Sequence, residues 1–191
     1  MTRTKLVLFF AVLAGLLVPA GIQAAGTRVY VKIVGKTQGT FKGEATRVAG
    51  TNYIDVYRYN YGVISPRDPS TGLPTGKRQQ QSVIITKEID ATSPQIFQAL
   101  ISNETMTTVT IEFLTNSTDG KELTYYVVTL KNATIAEIHQ HMDQASGTST
   151  GAPPVSTEPL EDVSFSFEQI EFTSNVGQTT AADSWNNAAT K

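Results

Sequence analysis

Apolar side chains recur at every second position in several segments of this chain, and this pattern restricts it to a mainly β fold. Residues 27–34 alternate between apolar and polar side chains, as in a strand with one buried face. Residues 106–114 and 122–130 alternate in the same way, and the Asp-Gly pair at 119–120 between them is a strong hairpin signal. Many short strands separated by turn signals predict a compact β-barrel or two-sheet sandwich.

One segment has the pattern of an α-helix instead. Ser93 suits the N-cap and Pro94 the first helical position. We expect this helix to end near Ser102 and Asn103. Because it is short, its stability must come from packing on one side of the sheet. Two apolar pairs spaced four residues apart would share one helix face: Ile96 with Leu100, and Phe97 with Ile101.

The remaining segments predict further strands and two irregular regions. The apolar phase shifts by one position between Phe167 and Ile170, which indicates a β-bulge. Residues 144–159 are rich in Ser, Thr, Gly and Pro and predict a flexible loop. The polar tail, residues 177–191, is expected to be loose apart from Trp185. Additional strands are predicted over residues 41–48, 82–87 and 133–142.

Residues 1–24 have the layout of a secretory signal peptide. Arg3 and Lys5 precede an apolar run over residues 6–18, and a small residue precedes the expected cleavage point. The run is shorter than the roughly 20 apolar residues that span a bilayer; an uncleaved anchor is the alternative. We therefore expect a single mature domain, residues 25–191, that is secreted through the periplasm and keeps no stable membrane anchor.

Charge and composition narrow the function classes. The formal net charge is −2, so there is no basic surplus to neutralise phosphates and no nucleic-acid partner is expected. Cysteine is absent, which excludes disulfides, thiolate metal sites and a cysteine nucleophile. No cofactor is predicted.

Two short patterns that resemble catalytic or nucleotide-binding motifs lack the context that their chemistry needs. Residues 147–151 match G-x-S-x-G, but two prolines follow at once, where a hydrolase requires a helix. Residues 72–77 resemble a phosphate-binding loop, but only three residues separate the glycines and Arg78 stands where Ser or Thr is required. We therefore predict that the protein is not an enzyme.

Both histidines lie in one segment with carboxylates at alternate positions. Glu137, His139, His141 and Asp143 would project from one face of a strand. Zinc accepts histidine and carboxylate ligands. A regular strand separates positions i and i+4 by about 13 Å, too far for one ion. We interpret the segment as a polar face, with a metal site on His139 and His141, shared between chains, as the weaker alternative.

The most informative stretch covers residues 53–81. An alternating aromatic strand leads into residues 65–81, a polar segment that holds three prolines and two glycines. Neither a helix nor a central strand tolerates so many prolines and glycines, so the segment is predicted to be a loop. Loops of this length are usually functional. We interpret residues 65–81 as an assembly loop, because prolines lower the entropy lost when a segment docks. A loop that only covers its own core is the alternative.

Five segments, in chain order, carry a resemblance to a known family: VYVKIVGKTQGTFKGE, YGVISPRDPSTGLPTGKRQ, ITKEIDATSP, VSFSFEQIEFT and AADSW. Together they resemble the haemolysin-coregulated protein family, Hcp, the tube protein of type VI secretion. The resemblance runs from about Arg28 to Trp185 and so covers nearly the whole expected mature domain.

The resemblance implies a role in self-assembly. Hcp proteins have a compact β-barrel-like fold with a helix on one side, form hexameric rings, and stack into hollow tubes that carry effectors. It therefore implies that the partners are other copies of this chain, with small cargo proteins in the lumen. The family loop that matches residues 65–81 makes subunit and ring contacts. The implied interface residues are Ser65, Pro66, Arg67, Asp68, Thr75, Lys77, Arg78, Asp183 and Trp185.

The signal peptide departs from the family pattern, because type VI tube subunits assemble in the cytoplasm without one. We therefore predict a structural subunit that is exported and then stacks into an extracellular tube or filament. Two alternatives remain. One is a type VI tube or effector-carrying protein whose start is misassigned, and the other is a periplasmic ring that binds peptides or small proteins in its lumen.

Overall fold

The computed structural model describes residues 27–47, 49–117, 120–142 and 159–185. The expected signal peptide and residues 144–158 of the predicted flexible loop lie outside them. The elements are, in order, β1 (Arg28–Gly35), β2 (Gly39–Thr40), β3 (Ala45–Arg47), β4 (Gly50–Val56), β5 (Arg58–Asn60), β6 (Val63–Ile64), β7 (Gln79–Gln80), β8 (Val83–Glu88), α1 (Ser93–Ile101), β9 (Thr105–Asn116), β10 (Glu122–Met142), β11 (Pro159–Ser166), β12 (Gln169–Ser174) and β13 (Thr179–Ser184).

Eleven strands form one antiparallel sheet around the core. Its main order is β3-β4-β1-β9-β10-β11-β8-β5, with β2 beside β1, and with β12 and β13 extending from β10. The sheet is open, and it folds over as a sandwich rather than closing as a barrel. Tyr57, which separates β4 from β5, donates its backbone N–H to the carbonyl of Thr86 at 2.9 Å. The chain therefore passes at this residue from one end of the sheet to the other. The predicted β-rich class with one side helix is confirmed.

The predicted hairpin is the centre of this sheet. β9 and β10 pair from Glu122↔Asn116 to Thr134↔Thr105, and β1 pairs with the other edge of β9. The predicted strand at 133–142 is the second half of β10 rather than a separate strand. The largest fully buried side chains of the core come from several parts of the chain. They include Phe41, Ile54, Ile85, Ile96, Ile111, Leu130, Phe165 and Ile170.

The phase shift near Phe167 marks a break between two strands, not a bulge within one. β12 pairs with the first half of β10 and β11 with its second half. Between the two halves Asn132 adopts a left-handed conformation with φ of +50°. Because β10 turns there, the strand opposite is interrupted. Two hydrogen bonds link Glu168 to β10 at this point: its N–H donates to the carbonyl of Lys131 at 3.2 Å, and its carboxylate accepts from the side-chain amide of Asn132 at 2.7 Å.

The helix has the predicted end but a different beginning and a different buried face. Thr92 is the N-cap, and Ser93 is already helical and buried. Ile96 is buried, as expected, whereas Phe97 and Ile101 are each 57% exposed. The prediction that both apolar pairs pack together is wrong for the second pair, because the sheet covers only the side of α1 that carries Ile96 and Ala99.

The C-terminal segment is more ordered than its composition indicates. Thr179–Ser184 form β13, which pairs with β12 from Ser174↔Thr179 to Gln169↔Ser184. The expectation of a loose tail is therefore wrong for these residues, because the edge of β12 supplies backbone hydrogen-bond partners to a polar segment. Residues 186–191 lie outside the described part.

A strand was also predicted over residues 41–48. Within the described residues 41–47 of this segment, only Ala45–Arg47 form a strand, and residue 48 lies outside the described part. No helix in the described ranges has the length and apolar character to cross a membrane.

Candidate self-assembly surface

The predicted assembly loop is a β-hairpin, which we call the arm (Val63–Gln80). β6 and β7 pair as Val63↔Gln80 and Ile64↔Gln79. Farther out, an isolated bridge joins Arg67 and Pro74. The backbone pairing therefore continues for several residues beyond the two short strands.

The arm is the continuation of the hairpin that β5 and β8 form in the body. β5 and β8 pair up to Asn60↔Ile84. The N–H of Gln81 then donates to the carbonyl of Gly62 at 2.9 Å, one step before the arm begins. Since the same two chain segments run from the body into the arm, the arm leaves the body at the end of β8 that begins with Val83.

Asp68 organises the tip of the arm. Its carboxylate Oδ1 accepts hydrogen bonds from the backbone N–H groups of Ser70 and Thr71, both at 2.8 Å. These bonds, first from Thr71 and then from Ser70, lower the pKa of Asp68. Gly72 has φ of +70°, which favours glycine, and its carbonyl accepts a bond from the Arg67 guanidinium at 3.1 Å. The tip is thus a closed turn with a defined shape.

The base of the arm is fixed to the C-terminal strand by Arg78. Its guanidinium forms a bidentate ion pair with Asp183 and donates to the carbonyl of Ser184 at 3.1 Å. Gln80 donates its side-chain amide to Asp183 at 2.6 Å. The hydrogen bonds from Arg78 lower the pKa of Asp183. Arg78 and Asp183, both inferred as interface residues, are therefore brought together within one chain, where they hold the arm in place.

The arm exposes apolar side chains that a solvated loop would not need. Val63 is 54% exposed, Ile64 50% and Leu73 64%. Only Leu73 of these three lies within residues 65–81, and its exposure favours the assembly loop over the alternative in which that segment covers its own core. Sequence reasoning missed these three residues because it followed charge. Their signal was the placement of apolar side chains within a polar, proline-rich segment.

Trp185 extends the surface at the base of the arm. Its indole is 56% exposed, and its backbone N–H donates to the carbonyl of Glu168 at 3.1 Å. With Lys77, Arg78, Gln80 and Ser184 it lines a concavity of about 180 Å³. The structure thus places Lys77 beside Trp185, although the two are far apart in the sequence.

The other inferred interface residues lie on the arm itself. Ser65 and Thr75 are exposed, and Pro66 is half-buried. The carbonyl of Pro66 accepts the N–H of Thr75 at 3.0 Å, so these two residues brace the middle of the hairpin. Whether they contact another copy stays a prediction.

The histidine pair is a separate feature on β10. The rings of His139 and His141 lie on one strand face, with centroids 5.8 Å apart and planes 22° apart. Within the ranges that the structure describes, no group of three or more metal-binding side chains converges. Asp143 lies outside those ranges. The structure therefore places the two imidazoles side by side, as the sequence predicted.

A buried charge network joins β8, β11 and α1. Lys87 is fully buried, and its Nζ donates to Glu161 Oε1 at 2.8 Å and to Asp90 Oδ1 at 2.7 Å. The Ser93 hydroxyl donates to the same oxygen of Glu161 at 2.6 Å, and Gln140 donates to its other oxygen at 3.0 Å. Because every member is paired, the network fixes the start of α1 against the sheet.

Comparisons with known proteins agree with this architecture. A protein-family model described as "Type VI secretion system effector, Hcp" matches residues 30–173. A curated relative from Pseudomonas aeruginosa PAO1, the "Major exported protein", is 32% identical over 168 residues, which are 83% of this chain and 95% of the relative.

Solved structures show the same fold. The secreted protein Hcp3 from Pseudomonas aeruginosa superposes with a TM-score of 0.66 at 27% identity, over 84% of this chain and 99% of that one. A crystal structure of an Hcp protein superposes with a TM-score of 0.73 at 22% identity, over 83% of this chain and 99% of that one.

Proposed function

This chain belongs to the Hcp family of type VI secretion proteins, and we propose that it is a structural subunit that assembles with copies of itself. In this proposal the subunits form hexameric rings, and the rings stack into a tube or filament outside the cytoplasm. The observation that carries the proposal is the arm, a braced hairpin that presents exposed apolar side chains beyond the body.

The arm has the physical properties of an axial contact between rings. Transfer of Val63, Ile64 and Leu73 from water into an interface would stabilise it by up to about 1.5–3 kcal/mol each, before the cost of association. The turn at Asp68 and the ion pair between Arg78 and Asp183 hold the arm in one conformation, so little entropy is lost on docking. A mobile loop of the same composition would bind more weakly.

Two sheet edges support lateral contacts within a ring. Among the described residues, β3 pairs only with β4, and β13 only with β12. An unpaired edge tends to pair with a strand of another chain. A closed ring requires contacts between two different patches on each subunit, and the two edges meet that requirement.

Export is the second part of the proposal. The signal-peptide layout of residues 1–24 supports secretion through the periplasm. One relative carries the name "Major exported protein", and one structural neighbour is described as secreted. In this proposal the subunit crosses the inner membrane unassembled and stacks afterwards, and small cargo proteins occupy the lumen.

Electron microscopy of the purified mature protein, residues 25–191, tests the assembly. We expect rings at low concentration and stacks as the concentration rises, with ring masses confirmed by light scattering. The same images of cell-free culture medium should contain tubes. A protein that stays monomeric at every concentration would contradict the proposal, and single rings that co-purify with a small protein would favour a periplasmic binding module.

The family description favours a second candidate, a type VI tube or effector-carrying protein that never passes through the periplasm. Mass spectrometry of the protein isolated from cells separates the two. An N-terminus near Ala25 supports export through a signal peptide, whereas a chain that retains residues of the apolar run supports the second candidate.

A further inference from the structure

The two histidines of the chain lie close enough together to share a metal ion. His139 and His141 are on one face of β10, because side chains alternate along a strand. The centroids of their rings are 5.8 Å apart. Two imidazoles on one tetrahedral ion, with metal–nitrogen bonds of about 2.0–2.1 Å, have centroids about 5 Å apart. A small rotation of the two side chains therefore brings a nitrogen of each ring within reach of the same ion.

One nitrogen of this pair has no hydrogen-bond partner. Nδ1 of His141 is buried, and no group among the described residues forms a hydrogen bond with it. Buried polar atoms of folded proteins are nearly always paired, and a bound water or ion is one of the usual reasons for an exception. Since imidazole nitrogen is a preferred ligand of Cu²⁺, Ni²⁺ and Zn²⁺, a metal ion is a suitable partner for this atom.

The surroundings of the pair are negatively charged. Glu137 lies two residues before His139 and therefore on the same strand face. Asp162 on β11 is the register partner of His139, so its side chain is directed to that face as well. The paired segments 137–142 and 159–164 contain neither lysine nor arginine. The two carboxylates therefore raise the local concentration of cations beside the imidazoles.

The strand that carries the histidines is supported on one edge and open on the other. β10 pairs with β11 from Thr134↔Ser166 to Met142↔Pro159, which fixes the backbone positions of both histidines. Among the described residues, β9 pairs with β10 only as far as Thr134. No strand of the described ranges therefore covers the other edge beyond that point. His139 is exposed, so an ion and its water ligands have access to the pair from solvent.

We propose that His139 and His141 form a binding site for one divalent transition-metal ion in each chain, with Cu²⁺ bound more tightly than Zn²⁺. The two imidazoles are the protein ligands. Water molecules complete the coordination, because no group of three or more metal-binding side chains converges within the described ranges. Glu137 and Asp162 contribute negative charge. The site lies within a single chain, so it goes beyond the proposed function and does not depend on assembly.

Calorimetric titration of the untagged mature protein with Cu²⁺ at neutral pH tests the site. The chain has no cysteine and no other histidine, so no other imidazole or thiolate competes for the ion. We expect one Cu²⁺ per chain and an electron paramagnetic resonance spectrum split by two imidazole nitrogens. His139→Gln and His141→Gln should each weaken binding at least about tenfold, and each should leave one nitrogen in the spectrum.

A double variant that exchanges two neighbouring residues is the matched control. His141→Met with Met142→His keeps the composition and both histidines, but it moves one imidazole to the opposite face of β10. Met142 is 58% exposed, and it does not belong to the hydrophobic core. We expect this variant to be folded, as circular dichroism will show, and to bind Cu²⁺ at least about tenfold more weakly than the wild type.

Thermal unfolding with Zn²⁺ gives a second measurement that does not depend on the spectroscopy of copper. An ion that binds the folded state stabilises it by mass action. The Tm of the wild type should therefore rise with the Zn²⁺ concentration, whereas that of the exchanged variant should not. Binding of Zn²⁺ to unfolded chains is matched, because both proteins contain two histidines.

The outcomes separate this inference from the proposed function. Equal Cu²⁺ affinities of the wild type and the exchanged variant would overturn the site. One ion for every two chains, together with dimers that form only with metal, would show a site shared between copies and would contradict a site within one chain. Protein that binds one Cu²⁺ per chain but forms no rings would support the site and contradict the proposed assembly.

Discussion

Arg78 and Asp183 are separated by 105 positions in the sequence, yet their side chains form a bidentate ion pair that ties the base of the arm to β13. Gln80 donates to the same carboxylate at 2.6 Å. The pair therefore sets the direction in which the arm leaves the body. The ion pair therefore contributes to function mainly by orienting the arm, and less through the free energy that it adds to folding.

Asp183→Asn should uncouple the arm without unfolding the domain. Both side chains are about one-third exposed, and ion pairs at such sites contribute about 0–1 kcal/mol. We expect the free energy of unfolding to fall by no more than about 1 kcal/mol, whereas amide hydrogen exchange in β6 and β7 becomes faster and stacking weakens. Glu171→Gln, which removes the exposed pair of Lys131 and Glu171 at 3.6 Å, is the control. Equal effects of the two variants on the arm would contradict this role.

Deletion of Leu73–Arg78 should abolish stacking and leave rings intact. The segment contains the exposed Leu73, Lys77 and the anchoring Arg78, but no side chain of the hydrophobic core. Light scattering and electron microscopy should therefore show folded rings that do not grow with concentration. Val176→Ser, which removes another exposed apolar side chain, serves as the control and should stack normally. Loss of rings along with stacks would show that the arm acts within the ring as well.

The order of the arm should depend on pH in the acid range. Hydrogen bonds from Arg78 lower the pKa of Asp183, and backbone bonds from Thr71 and Ser70 lower that of Asp68. Since each folded-state pKa lies below the ordinary value of 3.8, the stabilisation is complete above that value. It is lost as the pH falls through the lowered pKa values.

Trp185 gives a direct readout of this transition. It is the only tryptophan of the chain and lines one concavity with Arg78. Its fluorescence should stay constant from neutral pH to about 4 and change below that. Circular dichroism in parallel separates release of the arm from global unfolding. In Asp183→Asn the fluorescence step should be absent, and an unchanged step would show that another group titrates.

Glu161→Gln should destabilise the domain strongly, because it leaves the buried Lys87 with only one carboxylate partner, Asp90. Removal of one partner from a buried pair costs about 3–5 kcal/mol. Urea unfolding measures the loss. The double replacement Lys87→Met with Glu161→Leu should recover part of it, since both members of this buried pair are removed together. Asp90 then loses its ammonium partner, but it is partly exposed and keeps the hydrogen bond from the backbone N–H of Thr92 at 2.8 Å. If Glu161→Gln alone lowers the free energy of unfolding by less than about 1 kcal/mol, the ion pair of Lys87 and Glu161 is more solvated than its burial indicates.

Periodicity predicted the parts of the fold that depend on local patterns. The β9–β10 hairpin and the end of α1 near Ser102 follow from alternation and from turn and capping signals, and they were confirmed. Periodicity failed where burial depends on what covers an element. Phe97 and Ile101 are spaced as a core pair, but the sheet reaches only the opposite side of the helix.

Composition misjudged the segments that backbone pairing orders. Residues 179–184 are polar and carry no hydrophobic signal, yet they form β13 because β12 offers an unpaired edge. The arm was predicted as an irregular loop for a similar reason, since prolines and glycines conceal the pairing of Val63 with Gln80. Contacts such as Arg78 with Asp183 join distant segments and leave no local trace in the sequence.

The continuity of the arm with the hairpin of β5 and β8 has a mechanical consequence. A force that pulls on the arm enters the body through β8, and its component along the strand acts on the register of β8 with β11 over six residue pairs, Leu160↔Glu88 to Phe165↔Val83. Such a load shears all of these inter-strand hydrogen bonds together instead of peeling them apart one after another. A polymer joined through this arm would therefore transmit axial tension directly into the centre of each subunit.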